Sequence, residues 1–309
     1  MTDADANGAT ADPPGDQEAG DGWTLPVEAG WLLTAVAALA PAWGLRGAPG
    51  PLYEEGFTVL HAELVLQGQT PGVDFHALYG PLGPWLMAGW FKLVGPSIGA
   101  QRVVGALLLI AIVLGVRQLL RPWGRNVATA AAVVTSITVY SAGTLVAVAW
   151  WFGLAAVLWG VLLLRSPAAD AGRRRRTDSA RIEMVRRVVG GLLFGLALGF
   201  RPDLAVAVLL AGGATIWAGR RRAQVRAMVP PVAAGFAAGL LPLAIYTLQL
   251  GVADAWRVLV TGPFARSGPI EACPRRRSTT SRASPRPPPL AGVAAALAAA
   301  GRPGGAGSG

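Results

Sequence analysis

Apolar residues in this chain are bunched into long runs that short polar segments separate. A helix needs about 20 mostly apolar residues to cross roughly 30 Å of hydrocarbon. Seven runs approach this length, and they cover residues 28–45, 97–116, 126–142, 144–164, 188–202, 203–219 and 227–250. The pattern predicts an all-α protein, a polytopic transmembrane helical bundle with about seven spans.

An eighth apolar segment, residues 81–95, decides how the bundle is oriented. It has only fifteen residues, contains two prolines near its start and carries Lys92. If it does not span, the arginine-rich loops at 117–125, 165–187 and 220–226 all lie on the side of the N-terminus. If it does span, they lie on the opposite side. Cytoplasmic loops collect Lys and Arg, but the acidic N-terminus gives no independent orientation.

We expect residues 81–95 to form a short helix at the outer interface, with Trp85 and Trp90 as interfacial anchors. The loop 46–96 then faces the outside of the membrane and carries interfacial helices. It is the long external loop that precedes the C-terminal tail, and exposed loops on a rigid scaffold commonly carry chemistry. We therefore look for catalytic residues in this loop.

Composition and charge fit this picture. Hydrophobic residues make up 53% of the 309 residues and charged residues only 14%, whereas soluble domains carry roughly 25% charged residues. The net charge of +10 comes from arginines that mostly flank the apolar runs, so it indicates membrane topology and no nucleic-acid partner. The single Cys273 excludes an intrachain disulfide. We predict a multi-pass protein of the inner (plasma) membrane with the lipid bilayer as its surroundings.

The external loop contains a segment with helical periodicity, residues 53–67. One face is apolar and is formed by Tyr53, Phe57, Leu60 and Leu64. A second face holds Glu54, Thr58 and His61, with Glu55 beside them. The spacing predicts an amphipathic helix whose first turn carries two carboxylates, where the helix dipole favours negative charge.

Paired carboxylates beside a membrane can act as a general base, bind a divalent cation or cap a helix. Two further charged residues bear on this choice, because Asp74 follows in the same loop and Arg102 opens the next span. An arginine at that depth is costly unless it meets an anion, and a lipid phosphate at the interface would suit it.

The order of motifs carries a family resemblance. YEEGF is followed by AELVLQGQTPGVDF, then by YGPLGPWLMAGWFKLVGPS, and then by an arginine that opens a span. Over residues 50–105 this order resembles the N-terminal part of the GT-C membrane glycosyltransferases, with the PMT-2/ArnT-like branch (glycosyltransferase family 39-like) the most similar. Those enzymes have an Asp-Glu pair in the first external loop, an interfacial helix opened by prolines and an arginine in the following span.

The resemblance implies an inverting transfer of a hexosyl or pentosyl group from a polyprenyl-phosphate donor to a polysaccharide, lipid or protein acceptor at the outer face. It places Glu54 at the family's catalytic acidic position, with Glu55 as the acidic neighbour. Glu replaces the family's Asp at position 54, which lengthens the carboxylate by one methylene. The predicted substrate-binding residues are His61, Asp74, Lys92, Arg102 and Arg201, with Arg102 contacting the lipid phosphate.

Two features leave alternatives open. Arg201 and Asp203 either line a donor pocket or form a local ion pair at a helix end. His61 and His76 either join a metal site or are surface residues, and we predict no cofactor, although a divalent cation fits this chemistry. No nucleotide-binding motif such as a P-loop is present in the sequence.

Three regions follow from these patterns. Residues 1–27 are expected to be a disordered acidic cytoplasmic tail, and residues 28–262 the transmembrane GT-C-like domain. Residues 263–309 are rich in Pro, Arg and Gly and are expected to be disordered. Because GT-C enzymes usually run longer, we expect the chain to be truncated or frame-shifted near residue 263, which would leave the catalytic loop in place but remove part of the enzyme.

Two rival functions remain from the sequence. A transporter would place ionisable residues at mid-membrane and show paired broken helices in two repeated halves. A non-catalytic membrane scaffold, for example a partner of a complete transferase, would follow from a truncated chain. The polar residues of this sequence cluster at span ends, which favours the enzyme over the transporter.

Overall fold

A computed structural model describes residues 25–77, 79–141, 143–165, 176–218 and 222–261. The predicted C-terminal tail and nearly all of the predicted N-terminal tail lie outside the described residues. Most of the arginine-rich cluster at 173–176 and the arginines at 220–221 lie outside them as well.

The regular elements of the described residues are helices. Ten of them are α-helices: α1 (Val27–Leu45), α2 (Leu52–Leu66), α3 (Leu82–Val94), α4 (Ile98–Leu120), α5 (Arg125–Tyr140), α6 (Ala149–Leu164), α7 (Arg176–Phe200), α8 (Ala205–Ala218), α9 (Arg222–Leu250) and α10 (Val252–Trp256). Short 3-10 turns follow α4 and α7, and a π turn follows α10. The all-α class is confirmed for this part of the chain.

Each of the seven predicted spans overlaps one of these helices. Three helices in the described residues are long and apolar enough to cross a membrane by length and composition, and they are Val27–Leu45, Ile98–Trp123 and Arg226–Leu250. The apolar helices Ala149–Leu164 and Pro202–Thr215 are shorter. The number of spans therefore remains a prediction beyond these three.

α1 and α4 run antiparallel, which their end contacts demonstrate. Where α1 ends and α4 begins, Arg102 donates a hydrogen bond from Nη1 to the carbonyl oxygen of Arg46 at 2.8 Å. At the opposite end, the guanidinium of Arg117 on α4 lies 3.7 Å from the ring centre of Trp31 on α1. This is the arrangement expected if residues 81–95 do not make a single crossing. We call these the Arg102 end and the Arg117 end of the bundle.

The core consists of three clusters of buried side chains. Leu109, Ile112 and Val113 of α4 centre the first cluster, between α1, α5 and α6. The second joins α2 and α3 to α4, α6 and α7, and the third joins α6, α7, α8 and α9. α7 and α9 touch backbone to backbone, because a Cβ on Gly195 would lie 2.8 Å from the Cα of Gly239. Small residues allow such close packing of membrane helices.

Two helix boundaries differ from the sequence prediction. Residues 144–148 were predicted to belong to the span 144–164, but they are extended and α6 begins at Ala149. The carbonyl group of Leu145 lies directly on Gly105 of α4, where any side chain would collide with it. This local packing outweighs the helical preference of an apolar run. α7 begins well before the predicted residue 188, and Glu183 in its first half pairs with Arg186 and Arg187.

Candidate functional site

A cavity of about 110 Å³ lies at the Arg102 end of the bundle, between α2, the start of α3 and the segment that leads into α6. Its lining is mostly apolar with a few polar groups: Tyr53, Glu54, Phe57, Thr58, His61, Ala77, Tyr79, Gly80, Gly83, Pro84, Met87, Ala147, Val148 and Ala149. Mixed walls of this kind are typical of small-molecule sites.

The predicted second face of α2 lies along this cavity. Glu54, Thr58 and His61 follow one another at helical spacing and all line it. Glu54 is exposed in the first turn of α2, and within the described residues no side chain forms an ion pair with its carboxylate. An exposed, unpaired carboxylate at the mouth of an apolar cavity is able to accept a proton from a bound hydroxyl group.

Glu55 has the opposite environment from its neighbour. Its side chain is 2% exposed, and its two carboxylate oxygens accept hydrogen bonds from Nε and Nη2 of Arg102 at 2.8 and 2.9 Å. Arg102 uses its remaining Nη1 group on the carbonyl of Arg46. Glu55 does not line the cavity, so within this arrangement it holds α2 against α4 and neutralises Arg102.

His61 lies deeper along α2 and is enclosed by aromatic rings. The ring centres of Phe57 and Phe75 lie 4.0 and 4.8 Å from that of the imidazole. Burial, with a smaller contribution from His76, lowers the pKa of His61 from 6.5 to about 4. The imidazole is therefore neutral near pH 7 and offers one donor and one acceptor nitrogen to the cavity.

Arg201 does not line the cavity, but it contacts the ring of Tyr79, which does. Its guanidinium lies between the rings of Tyr79, at 4.7 Å, and Trp150, at 3.9 Å. It also pairs with Asp203, through hydrogen bonds of 2.9 and 2.6 Å. Nη1 of Arg201 is buried without a hydrogen-bond partner in the described residues. The pair is therefore local, as the second interpretation predicted, whereas a role of Arg201 in a donor pocket stays a prediction.

Three other predicted binding residues, Asp74, Lys92 and Arg102, do not line the cavity. Asp74 accepts a hydrogen bond from the backbone N–H of Thr70 at 2.8 Å and so closes its own loop. Lys92 is exposed in the last turn of α3. Among the described residues no group of three or more His, Cys, Asp or Glu side chains is placed to hold a metal ion.

Two aromatic residues of the site were not predicted from the sequence. Tyr79 lies in the YGPLGP segment, and Trp150 lies in the apolar run predicted to form the span 144–164. Because α6 begins at Ala149, Trp150 lies in its first turn and contacts Arg201. In the predicted topology, the start of the span 144–164 and the junction between the spans 188–202 and 203–219 lie on the same face, which is a signal for this contact. Trp151 does pack against the first core cluster.

No family model, curated protein or solved structure matches this chain.

Proposed function

We propose that this protein is a membrane glycosyltransferase that moves a sugar from a polyprenyl-phosphate donor to an acceptor hydroxyl at the outer face of the membrane. All seven predicted spans cross the plasma membrane in this proposal, and the Arg102 end faces outward. The observation that carries it is the unpaired Glu54 carboxylate on the cavity, in the loop whose motif order resembles the GT-C enzymes.

The acceptor hydroxyl, the donor phosphate, Glu54 and Arg201 each have one role in the reaction. The acceptor oxygen forms a bond to the anomeric carbon while the bond from that carbon to the phosphate oxygen breaks. The phosphate leaves with the electron pair, and the hydroxyl proton passes to Glu54 acting as general base. A cation near the leaving phosphate stabilises its charge. Arg201 is the cation we assign to this role, because it contacts Tyr79 of the cavity lining and its Nη1 has no hydrogen-bond partner in the described residues, whereas Arg102 uses Nε, Nη1 and Nη2 on Glu55 and Arg46.

The surroundings of Glu54 support this chemistry. Apolar walls from α3 and from Ala147 to Ala149 reduce competition from water, which strengthens charge interactions inside the cavity. The rings of Tyr53 and Tyr79 offer flat surfaces with a hydroxyl group, a combination that suits a sugar ring.

The test is Glu54→Gln in membranes that contain the full chain. The assay follows transfer of radiolabel from a panel of hexosyl and pentosyl polyprenyl phosphates to membrane acceptors. We expect at least about a 100-fold loss of transfer, because a positioned general base contributes typically 10²–10⁴-fold. Glu63→Gln is the matched control, since Glu63 lies on the same helix outside the cavity lining and should retain activity.

Two results would contradict the proposal. If Glu54→Gln transfers sugar at the rate of the unaltered chain, Glu54 is not the general base. An unaltered chain that transfers no sugar of the panel favours the non-catalytic scaffold instead. That alternative draws on the exposed apolar side chains of α8, such as Val206, Leu209 and Leu210, which a partner helix could cover as well as lipid.

A further inference from the structure

The Arg117 end of the bundle holds a buried cation without a counter-charge. Arg117, in the last turn of α4, is 4% exposed. It forms no ion pair and donates no hydrogen bond within the described residues, and its Nε is buried without a partner. A buried charge is costly unless it is paired and hydrogen-bonded. This arginine differs from Arg102 at the other end of the same helix, which Glu55 neutralises.

A second unpartnered polar group converges on the same place. Thr129 of α5 is 2% exposed, and its hydroxyl has no hydrogen-bond partner in the described residues. Both groups lie over Gly30 of α1, since a Cβ there would be 3.1 Å from Oγ1 of Thr129 and 3.6 Å from Nη2 of Arg117. Three helices thus bring a guanidinium and a hydroxyl to one glycine that has no side chain.

α4 and α5 place the arginines Arg117 and Arg125 next to Gly30, whereas the first turn of α1 carries the exposed Glu28. Arg125 begins α5 and is held there by a hydrogen bond from Nη1 to the carbonyl of Leu25 at 3.0 Å. The first turn of α5, a helix of 16 residues, contains no acidic residue and no side-chain cap. A helix N-terminus attracts anions through its free N–H groups and its dipole.

The stacking of the Arg117 guanidinium on the Trp31 ring uses none of its N–H donors. Trp31 contacts the face of the guanidinium, whereas the N–H groups lie in the guanidinium plane and point outward from its edge. Planar arginine edges bind phosphate oxygens through paired hydrogen bonds. Stacking therefore positions the guanidinium without using any of its N–H donors.

We propose that Arg117, Thr129 and the N-terminus of α5 form a binding site for a phosphate group, and that the phosphate belongs to an anionic glycerophospholipid. Arg117 donates to two phosphate oxygens, and the Thr129 hydroxyl donates to one. Arg117 belongs to a predicted membrane helix next to an arginine-rich loop, where headgroup phosphates are concentrated. The proposal does not depend on the glycosyltransferase function, because the cavity lies at the other end of the bundle.

The test measures lipid binding to the full chain, purified in a neutral detergent, by native mass spectrometry. Phosphatidylglycerol is compared with phosphatidylcholine, and inorganic phosphate is added as a competitor. We expect the Kd for phosphatidylglycerol to be at least about tenfold lower than for phosphatidylcholine, since zwitterionic headgroups carry no net charge. If inorganic phosphate displaces the lipid completely at similar concentration, the site binds phosphate from a soluble source as well, which still supports it.

Three variants separate the site from general attraction to basic residues. Thr129→Val keeps the size of the side chain and should raise the Kd for phosphatidylglycerol about five- to tenfold, because one hydrogen bond to a charged group is lost. Arg117→Lys should raise it about tenfold through loss of the paired geometry. Arg226→Gln removes an exposed arginine from α9 and, as the matched control, should change the Kd less than about threefold.

Several outcomes overturn the proposal. Equal affinity for the two lipids excludes selection of an anionic lipid, and unchanged binding by Thr129→Val excludes the hydroxyl as a ligand of the phosphate. Residues 1–24 contain six acidic and no basic residues. If the lipid binds only after their removal, a carboxylate of that segment neutralises Arg117 instead. If Arg117→Lys fails to fold, the Thr129→Val variant and the comparison of the two lipids still test the proposed site.

Discussion

Two arginine–carboxylate pairs lie at the same end of this bundle and differ in reach and exposure. Arg102 binds Glu55 across 47 positions of sequence, and the carboxylate is 2% exposed. Arg201 binds Asp203 two positions away, and that carboxylate is 53% exposed. The first pair joins two helices and is closed to ligands. The second is local, and its guanidinium contacts Tyr79 of the cavity lining.

This difference makes the two pairs testable against each other. If the Arg102–Glu55 pair is structural and Arg201 serves the site, loss of Glu55 should mainly lower stability, and loss of an aromatic support of Arg201 should mainly lower transfer. Three substitutions test this difference, and they follow in decreasing order of the predicted loss of stability.

Glu55→Ala should destabilise the protein by about 3–5 kcal/mol, because Arg102 is left buried without a counter-charge. The measurement is the free energy of unfolding in detergent, from chemical denaturation of the full chain. Replacing both partners, Glu55→Met with Arg102→Met, should recover most of this loss, since no unpaired charge remains. A single variant as stable as the unaltered chain would show that the pair does not hold α2 to α4.

Trp150→Leu should cost about 0.5–2 kcal/mol of stability, the range of a cation–π contact. Its effect on sugar transfer should be larger than this stability loss explains, because Arg201 loses one of its two aromatic supports beside the cavity. Transfer and unfolding are measured on the same preparation. Trp123→Leu is the control, since Trp123 is exposed at the Arg117 end, and an equal loss of transfer in both variants would contradict the assignment.

Asp203→Asn should have the smallest effect on stability, about 0–1 kcal/mol, because the carboxylate is half exposed and water screens the pair. Transfer should change only a few-fold, since the aromatic rings still hold the guanidinium. A stability loss comparable to that of Glu55→Ala would remove the distinction between the two pairs. The same denaturation and transfer measurements decide.

The helices themselves were predictable because long apolar runs leave few alternatives. Every predicted span overlaps a helix, and the segment 53–67 forms α2 with nearly the predicted bounds. The extended stretch before α6 could not be predicted, since it depends on Gly105 of α4, 40 residues earlier, having no side chain. Sequence periodicity contains no information on such a contact.

The candidate site was predictable in part for the same reason. Helical spacing grouped Glu54, Thr58 and His61, and the cavity lies along this group. The partner of Arg102 was not predictable, because Glu54 and Glu55 are adjacent and chemically alike. Only the packing of α2 on α4 decides which of the two carboxylates meets the arginine.

The contact between the Leu145 carbonyl and Gly105 has one further consequence. The cavity wall from Ala147 to Ala149 is anchored by main chain on main chain, so it has no rotamers with which to yield. Guests of different bulk should therefore displace the opposite walls, which side chains of the short helices α2 and α3 form. The packing of α2 and α3 on the other helices would then control which sizes of ligand fit the cavity. Distant substitutions that loosen this packing should allow larger ligands to bind.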